Sequence, residues 1–470
     1  MLRIFRHYVS PIIFVFILVE AALFAYVNFK VVRTSYMYGY NSGLVGPDPY
    51  LYAIYLSLLQ ISFMWSVGLY RLESIVSTRT IVVRTFVVLT LTLPAVAIFF
   101  LLISKSVRVT VSYAPLVIGL VSLFTCWVIA SLMRVLLRYT VNLADFNRKI
   151  LVVGAGERAQ RIVDHVKSHE WSRIEIVGCL DLRGEAPPGP WPYPDIKLLK
   201  DKSILGATQE YGAIEIVLAL QERRGVPADD LLECRMSGVL VTDFLSFWER
   251  ESRKLLIDDL QTGWLVFSDG YRLSSFLNDL LKRLGDIAVS SLLLVLASPF
   301  LLAAAIAIPL ESRGPAIFRQ ERVGRNGKTF VLYKFRSMRL DAEAAGPQWA
   351  GEDDPRITRI GRFIRRTRID EIPQVFNVLK GDMSFIGPRP ERPHFVESLR
   401  KQIPYYNERH RVRPGITGWA QINYPYGASV EDAKQKLSYD LYYIKNYSIL
   451  LDVIVLFSTI EVVLWPRGVR

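Results

Sequence analysis

Cysteine is scarce in this 470-residue chain. Its three cysteines, Cys126, Cys179 and Cys234, have neither CxxC pairing nor metal-ligand spacing, which excludes a disulfide framework and a zinc site of the usual kind. Internal repeats and low-complexity tracts are missing too, so solenoid and linker-rich architectures drop out. There is no zinc-finger spacing and no aromatic RNA-binding strand motif, so the net charge of +13 is not read as a nucleic-acid footprint, and no nucleic-acid partner is expected. A cleavable signal peptide is not expected either. Arg3 and Arg6 precede a hydrophobic run, but Glu20 interrupts it and no small-residue exit site follows.

Apolar side chains are what the sequence has in excess. They make up 51% of it, and the mean hydropathy of +0.25 is too high for an ordinary water-soluble enzyme. They crowd into the first third and two later stretches, while charged residues still account for 21%. A membrane anchor carrying water-facing domains satisfies both facts. Lipid surface and phosphorylated substrates then become the natural partners for the positive charge.

Four long apolar runs, about Pro11–Val32, Tyr50–Tyr70, Ile81–Ile103 and Val111–Leu136, each approach the ~20 residues that a helix needs to cross the hydrocarbon core. Arg3, Arg6, Arg71, Arg79, Arg84, Arg134, Arg138, Arg148 and Lys149 flank one side. The opposite loops carry only Lys30, Arg33, Lys105 and Arg108. This bias orients both ends of the four-span unit toward the cytoplasm.

Lys149 opens a short β run into the turn Gly154-x-Gly156-x-x-Ala159, followed by a helical pattern. Ile174–Leu180 reads as a second strand ending at Asp181, with further strands at Ile214–Leu220 and Val239–Thr242 and helical segments between. Such alternation predicts a parallel sheet with covering helices. Gly154, Gly156 and Asp181 approximate a dinucleotide-binding fingerprint, in which glycines let a pyrophosphate approach a helix N-terminus. The competing reading, which we prefer on sequence, is a Rossmann-like scaffold whose turn needs glycine only for geometry.

A fifth apolar segment spans roughly Asn278–Leu310. Pro299 sits mid-run, where it removes a backbone hydrogen bond and kinks a helix, and Ser298 beside it can satisfy a freed carbonyl. Lys282 and Arg283 precede the segment, and Arg313, Arg319, Arg322 and Arg325 follow it. Basic flanks on both sides predict that both ends face the cytoplasm, hence a re-entrant helix. The last apolar run, Tyr447–Trp465, carries Asp452 and Glu461 and is read as interfacial or buried.

The densest chemistry lies between Arg365 and Pro390. Asp370 is placed to cap a helix running to about Lys380, with Pro373 in its first turn and Gly381 at its end. Asp370 and Glu371 thus sit among Arg365, Arg366 and Arg368 at a helix N-terminus, a setting suited to phosphate. Spacing alone leaves two readings open: a plain cap with solvated arginines, or a nucleophile beside a metal ligand.

Several ordered motifs together resemble the monotopic phosphoglycosyl transferase superfamily of bacterial sugar transferases, over roughly Leu273–Arg470. They are the Ser298-Pro299 break, Phe318-Arg-Gln-Glu-Arg-Val-Gly324, Tyr333-Lys-Phe-Arg-Ser-Met338, Asp370-Glu-Ile-Pro-Gln374, Gly387-Pro-Arg-Pro390, Arg413-Pro-Gly-Ile-Thr-Gly-Trp-Ala-Gln421 and Tyr439-Asp-Leu-Tyr-Tyr443. The front and middle are similar to the long, exopolysaccharide-associated members. The resemblance implies a membrane protein of mixed class. It has a four-helix transmembrane bundle over 1–145, an α/β Rossmann-like domain over 146–268, and a mainly helical catalytic domain over 269–470 with a re-entrant helix at about 282–310. It further implies transfer of a sugar 1-phosphate from a UDP-sugar to polyprenyl (undecaprenyl) phosphate, with UMP released and Asp370 transiently esterified. By the same resemblance Glu371 and Asp370 hold Mg²⁺, Arg389 holds a substrate phosphate, and Gln421 contacts the nucleotide. Lys334 and Arg336, alternating on a strand-like segment, would add to the cradle. Attack by an ionised phosphate needs no base, so His394 and His410 are given no role. The implied location is the bacterial inner membrane, with the soluble parts and the active site on the cytoplasmic side. The sequence leaves the sugar and any homo-oligomer open.

Two rival classes are a membrane-bound NAD-dependent nucleotide-sugar dehydratase or epimerase, and a non-enzymatic polysaccharide-assembly scaffold. The first needs a second Gly-rich fingerprint and a Tyr-x-x-x-Lys pair, neither of which occurs beyond residue 265. The second leaves the carboxylate–arginine–proline motifs without a purpose.

Overall fold

The computed structural model describes residues 2–4, 7–9, 11–39, 49–70, 81–93, 96, 114–140, 147–168, 174–187, 190–222, 225–271, 276–342, 354–425, 427 and 429–464. They fall into two compact units, the first within Ser10–Leu256 and the second within Ile257–Arg470 together with Leu2–Val9. Two three-residue strands near the start, β1 (Leu2–Ile4) and β2 (His7–Val9), pair antiparallel.

In the first unit the apolar runs fold as helices Pro11–Gly39, Pro49–Ser66 and Ala114–Thr140, with a shorter one at Ile81–Leu93. Three helices among the described residues are long and apolar enough to cross a membrane: two of these, containing Phe14–Val31 and Gly119–Leu136, and a third in the other unit. The expected span Ile81–Ile103 lies only partly within the described residues. Polar groups stitch these helices together. Arg134 is paired with Glu20 out of contact with solvent, and Tyr70 donates to the same carboxylate at 2.6 Å. Asn28 donates to Ser57 and Gln60 on the next helix. Such groups have no water to turn to in hydrocarbon, so they find one another.

The same unit carries a five-stranded, all-parallel sheet in the order β5-β4-β3-β6-β7, with β3 Arg148–Val153, β4 Ile174–Leu180, β5 Leu198–Leu199, β6 Glu215–Leu218 and β7 Leu240–Asp243. Separate apolar clusters cover its two faces, one around Ile150, Ile162 and Phe247, the other around Leu151, Ile204 and Ile216. Strand order reverses beside β3, which puts the Gly154 turn at the usual ligand crevice of such sheets. That crevice is differently furnished here. Asp181 accepts from the backbone N–H groups of Glu185 and Ala186 and so closes its own loop. The Glu185 carboxylate lies where a Cβ on Gly156 would touch it, at 3.4 Å.

The second unit begins with a 36-residue helix, Phe276–Glu311, containing Pro299. Pro299 cannot donate to the carbonyl four residues back, that of Val295. The Ser298 hydroxyl donates to it instead, at 2.8 Å. Near its start Arg283 donates to the Val378 and Leu379 carbonyls, and Asp286 accepts from Ser384 Oγ and Phe385 N. Near its end Ala304 and Ile308 pack with Phe335 and Ile364, and Glu311 accepts from the backbone of Arg359 and Ile360. Between these attachments Leu292, Val295, Leu296 and Phe300 stand exposed. The final apolar helix, Ile449–Leu464, is held inside the unit, with Asp452 bonded to Lys282 and Tyr443.

Candidate active site

Three local structures converge. The first is the antiparallel hairpin of β8 (Ile317–Val323) and β9 (Thr329–Phe335), whose register pairs Phe318 with Lys334. The second is the segment from helix Arg359–Arg366 through a 3₁₀ turn, Ile369–Glu371, to helix Gln374–Lys380. This corrects the expected N-cap. Arg368 takes a left-handed conformation (φ 60°), and Asp370 and Glu371 lie within the tight turn that follows, with Pro373 at the cap position of the seven-residue helix that begins at Gln374. Asn377 anchors that helix to the hairpin, accepting from Tyr333 N and donating to Val331 O.

The third is the parallel pair β10 (Ser384–Ile386) and β11 (Gly415–Thr417). Gly387 and Gly415 bring two backbones together so closely that a Cβ on either would run into the other segment's main chain. Gly387 N donates to Thr417 O at 2.9 Å and Gly415 N to Pro388 O at 2.9 Å. This clamp fixes the Gly-Pro-Arg-Pro turn and so aims Arg389.

Arg389 reaches Glu371 with one nitrogen at 2.5 Å and another at 3.4 Å, and donates to Gln421 Oε1 at 2.8 Å. Lys334 and Arg368 stand 3.6 and 3.7 Å from the same carboxylate. Asp370, Glu371, Lys334, Arg389 and Gln421 therefore share one place. Arg336 does not join them. It lies just past the end of β9, where strand alternation no longer sets direction, and its guanidinium donates to the carbonyls of Arg313 and Ser312 beyond the long helix. Ser298 and Pro299 belong to that helix, and Gly154, Gly156 and Asp181 to the other unit.

The two carboxylates are pushed in opposite directions. Burial alone would push Glu371 up, but Arg389 and Lys334 outweigh it and hold the group well below the usual carboxylate range. Asp370 is pushed up to about 6, first by burial and then by the negative Glu371 beside it. Its Oδ1 is buried without a hydrogen-bond partner among the described residues. Lys334 is held down by burial. In donor chemistry the pair fits Mg²⁺, which is commonly held by one or two carboxylates together with substrate phosphates. Among the described residues no set of three or more metal-binding side chains gathers, so such an ion would arrive with its phosphates.

Sequence reasoning missed the support behind Arg389. Arg409 donates to the Arg389 carbonyl and is paired with buried Asp440 at 2.9 Å. Asp440 stands in the aromatic Tyr439–Tyr443 stretch, and a charged residue inside an apolar helical face was the available signal. His410 is held at about 4 by burial and by Arg409, and so is neutral at pH 7.

Comparison with known proteins adds an independent line. Residues 277–466 match the family described as bacterial sugar transferase. The UDP-glucose:undecaprenyl-phosphate glucose-1-phosphate transferase of Escherichia coli (strain K12) is 34% identical over 351 residues, covering 74% of this chain and 73% of that protein. The UDP-N-acetylgalactosamine-undecaprenyl-phosphate N-acetylgalactosaminephosphotransferase of Aeromonas hydrophila is 43% identical over 272 residues, 58% of this chain, and the match spans less than two thirds of the relative, 63%. The undecaprenyl-phosphate glucose phosphotransferase of Komagataeibacter xylinus is 35% identical, with 60% of its length covered.

Proposed function

Because the chain belongs to the bacterial sugar transferase family, we propose that it moves a sugar 1-phosphate from a UDP-sugar to undecaprenyl phosphate, with Asp370 as nucleophile. The observation that carries this is a buried aspartate with one unpartnered oxygen, set against a glutamate that Arg389 and Lys334 favour in its ionised form.

In the first step an Asp370 carboxylate oxygen attacks the β-phosphorus of the UDP-sugar. The bond from that phosphorus to the bridging oxygen breaks, and UMP departs with the oxygen and its electron pair. In the second, an oxygen of undecaprenyl phosphate attacks the same phosphorus, the bond to Asp370 breaks, and the carboxylate is restored. Dividing one displacement into two lets a water-soluble and a lipid-bound partner use one site in turn. Burial makes Asp370 a stronger base than a solvated carboxylate, and so a better nucleophile once ionised. Arg389, Lys334 and Arg368 face the phosphates with fixed positive charge, and Glu371 holds Arg389 in place. Mg²⁺, when bound by the two carboxylates with the diphosphate, would neutralise further charge.

For topology we infer a four-helix membrane bundle at the front and a re-entrant long helix, with the catalytic unit on the cytoplasmic face of the inner membrane. What supports re-entry is that residues on both sides of Ser298-Pro299 pack on the same unit, while the apolar residues between are exposed. The dehydratase and scaffold readings find no support in these relatives.

The test is intact-mass measurement after mixing with single UDP-sugars. Wild type is expected to gain one sugar phosphate and to lose it on addition of undecaprenyl phosphate, whereas Asp370→Asn gains nothing. UMP release that persists in Asp370→Asn overturns the nucleophile. No release by wild type across a panel of UDP-sugars overturns the activity.

A further inference from the structure

A cavity of about 280 Å³ opens in the second unit, lined by none of the side chains gathered at Asp370. The first turns of the long helix form one wall through Asp279, Lys282 and Asp286, and Arg325, Arg411 and Arg413 supply others. Lys282 is already bonded to Ile386 O, Tyr443 and Asp452, and Arg411 to Glu408. The guanidinium groups of Arg325 and Arg413 make no hydrogen bond or ion pair among the described residues.

Asp286 adds the opposite chemistry. It is 4% exposed; its Oδ1 is used by Ser384 and Phe385, and its Oδ2 is buried with no partner. A buried carboxylate oxygen left unpaired is costly. The cavity therefore offers free cationic donors on one side and an unused acceptor on the other. Its complement is an anion that also carries an N–H or O–H. The volume falls just under the roughly 300–1,000 Å³ of ordinary small-molecule sites, so it suits a phosphate with a short head rather than a nucleotide sugar.

Position supplies the third constraint. Charged residues on the helix stop at Asp286 and do not return until Glu311, and the predominantly apolar run begins at Ile287. Leu280 and Leu284 stand exposed beside the opening, and the half-buried Tyr447 lines it, as an aromatic group does at a membrane boundary. We propose that this cavity holds the headgroup of a glycerophospholipid, with the phosphodiester against Arg325 and Arg413 and the head's hydroxyl or ammonium donating to Asp286 Oδ2. The acyl chains then follow the exposed leucines. This rests on the interfacial placement of the helix given under Proposed function, but not on turnover.

The test is native mass spectrometry of the delipidated full chain in detergent, offered phosphatidylglycerol, phosphatidylethanolamine, phosphatidic acid, undecaprenyl phosphate or inorganic phosphate. At about pH 8.5, where the phosphomonoester of phosphatidic acid has lost its P–OH, phosphatidylglycerol or phosphatidylethanolamine is expected to be retained over phosphatidic acid, which then has no donor for Asp286. Arg325→Gln with Arg413→Gln should lower that retention at least tenfold. Arg325 is exposed on the hairpin turn, so Arg325→Gln alone, with a severalfold loss, keeps the test open if Arg413→Gln does not fold. Equal retention by wild type and variants overturns the proposal. So does arginine-dependent binding confined to undecaprenyl phosphate, or displacement by inorganic phosphate at equal concentration. Because no step requires UMP release, failure here and failure of the transferase reading are told apart.

Discussion

As the proposed nucleophile, Asp370 would be under a tension that its surroundings maintain. It must be ionised to attack, yet burial and Glu371 both favour its proton and hold it near 6. For the free enzyme this places the acid limb of kcat/KM for the UDP-sugar near pH 6, with activity falling below it and level above about 7. Glu371→Gln removes the neighbouring negative charge, so the limb is expected to move to lower pH while most turnover is lost as Arg389 is released. An unmoved limb in a pH profile of that variant would show that the two carboxylates do not interact. The same shift carries a stability cost. A carboxyl whose folded pKa exceeds its unfolded value opposes folding once pH rises past about 3.8, and does so fully above about 6. At about 1.4 kcal/mol per unit, the cost at pH 7 is on the order of 3 kcal/mol. Asp370→Asn is therefore expected to melt at a higher temperature than wild type at pH 7 and to lose that advantage near pH 4. Equal melting at pH 7 would contradict the strain.

At the scale of elements, the long helix and the strands differ in how far their sequence declared them. Ile174–Leu180 was bounded correctly by its β-branched run and the Asp that follows, because a buried parallel strand writes its limits in hydrophobicity. Two-residue β5 left no such trace, being made by pairing with β4. Asp370 was misplaced by one local feature. A cap was read from spacing, but Arg368 enters a left-handed conformation that no residue preference announces, and a 3₁₀ turn results. Arg336 was misdirected because alternation was extended past the last residue of β9. At Ser298-Pro299 the missing N–H and the nearby hydroxyl were legible, being chemical facts of the sequence, while the helix itself runs on through them from Phe276 to Glu311. The topological consequence is open to labelling. The native thiols are buried, so Leu281→Cys and Arg313→Cys can be read against a quiet background. Both are expected to react with an impermeant reagent from the same side of the membrane, and labelling from opposite sides would remove re-entry.

For the molecule as a whole, the family match lies within the second unit, as do all five residues at the candidate site. Residues 257–470 are accordingly expected to form the sugar-phosphate adduct without the front of the chain, as mass measurement can check. Failure of that fragment, with the full chain active, would give the first unit a part in chemistry. Asp181 closes its own loop, Glu185 lies against Gly156, and Gly154 packs against Ala219 and Leu220.

The clasp at the start of the long helix has a bearing on biogenesis. Arg283 and Asp286 find their partners 95 to 99 residues later in the chain, a stretch the ribosome makes in roughly 5–20 s. With the long helix re-entrant as proposed, its apolar run would wait at the bilayer through that interval with its polar foot untied. A nascent chain stalled before residue 378 should be the species most readily pulled through into a full crossing, and most exposed to membrane proteases.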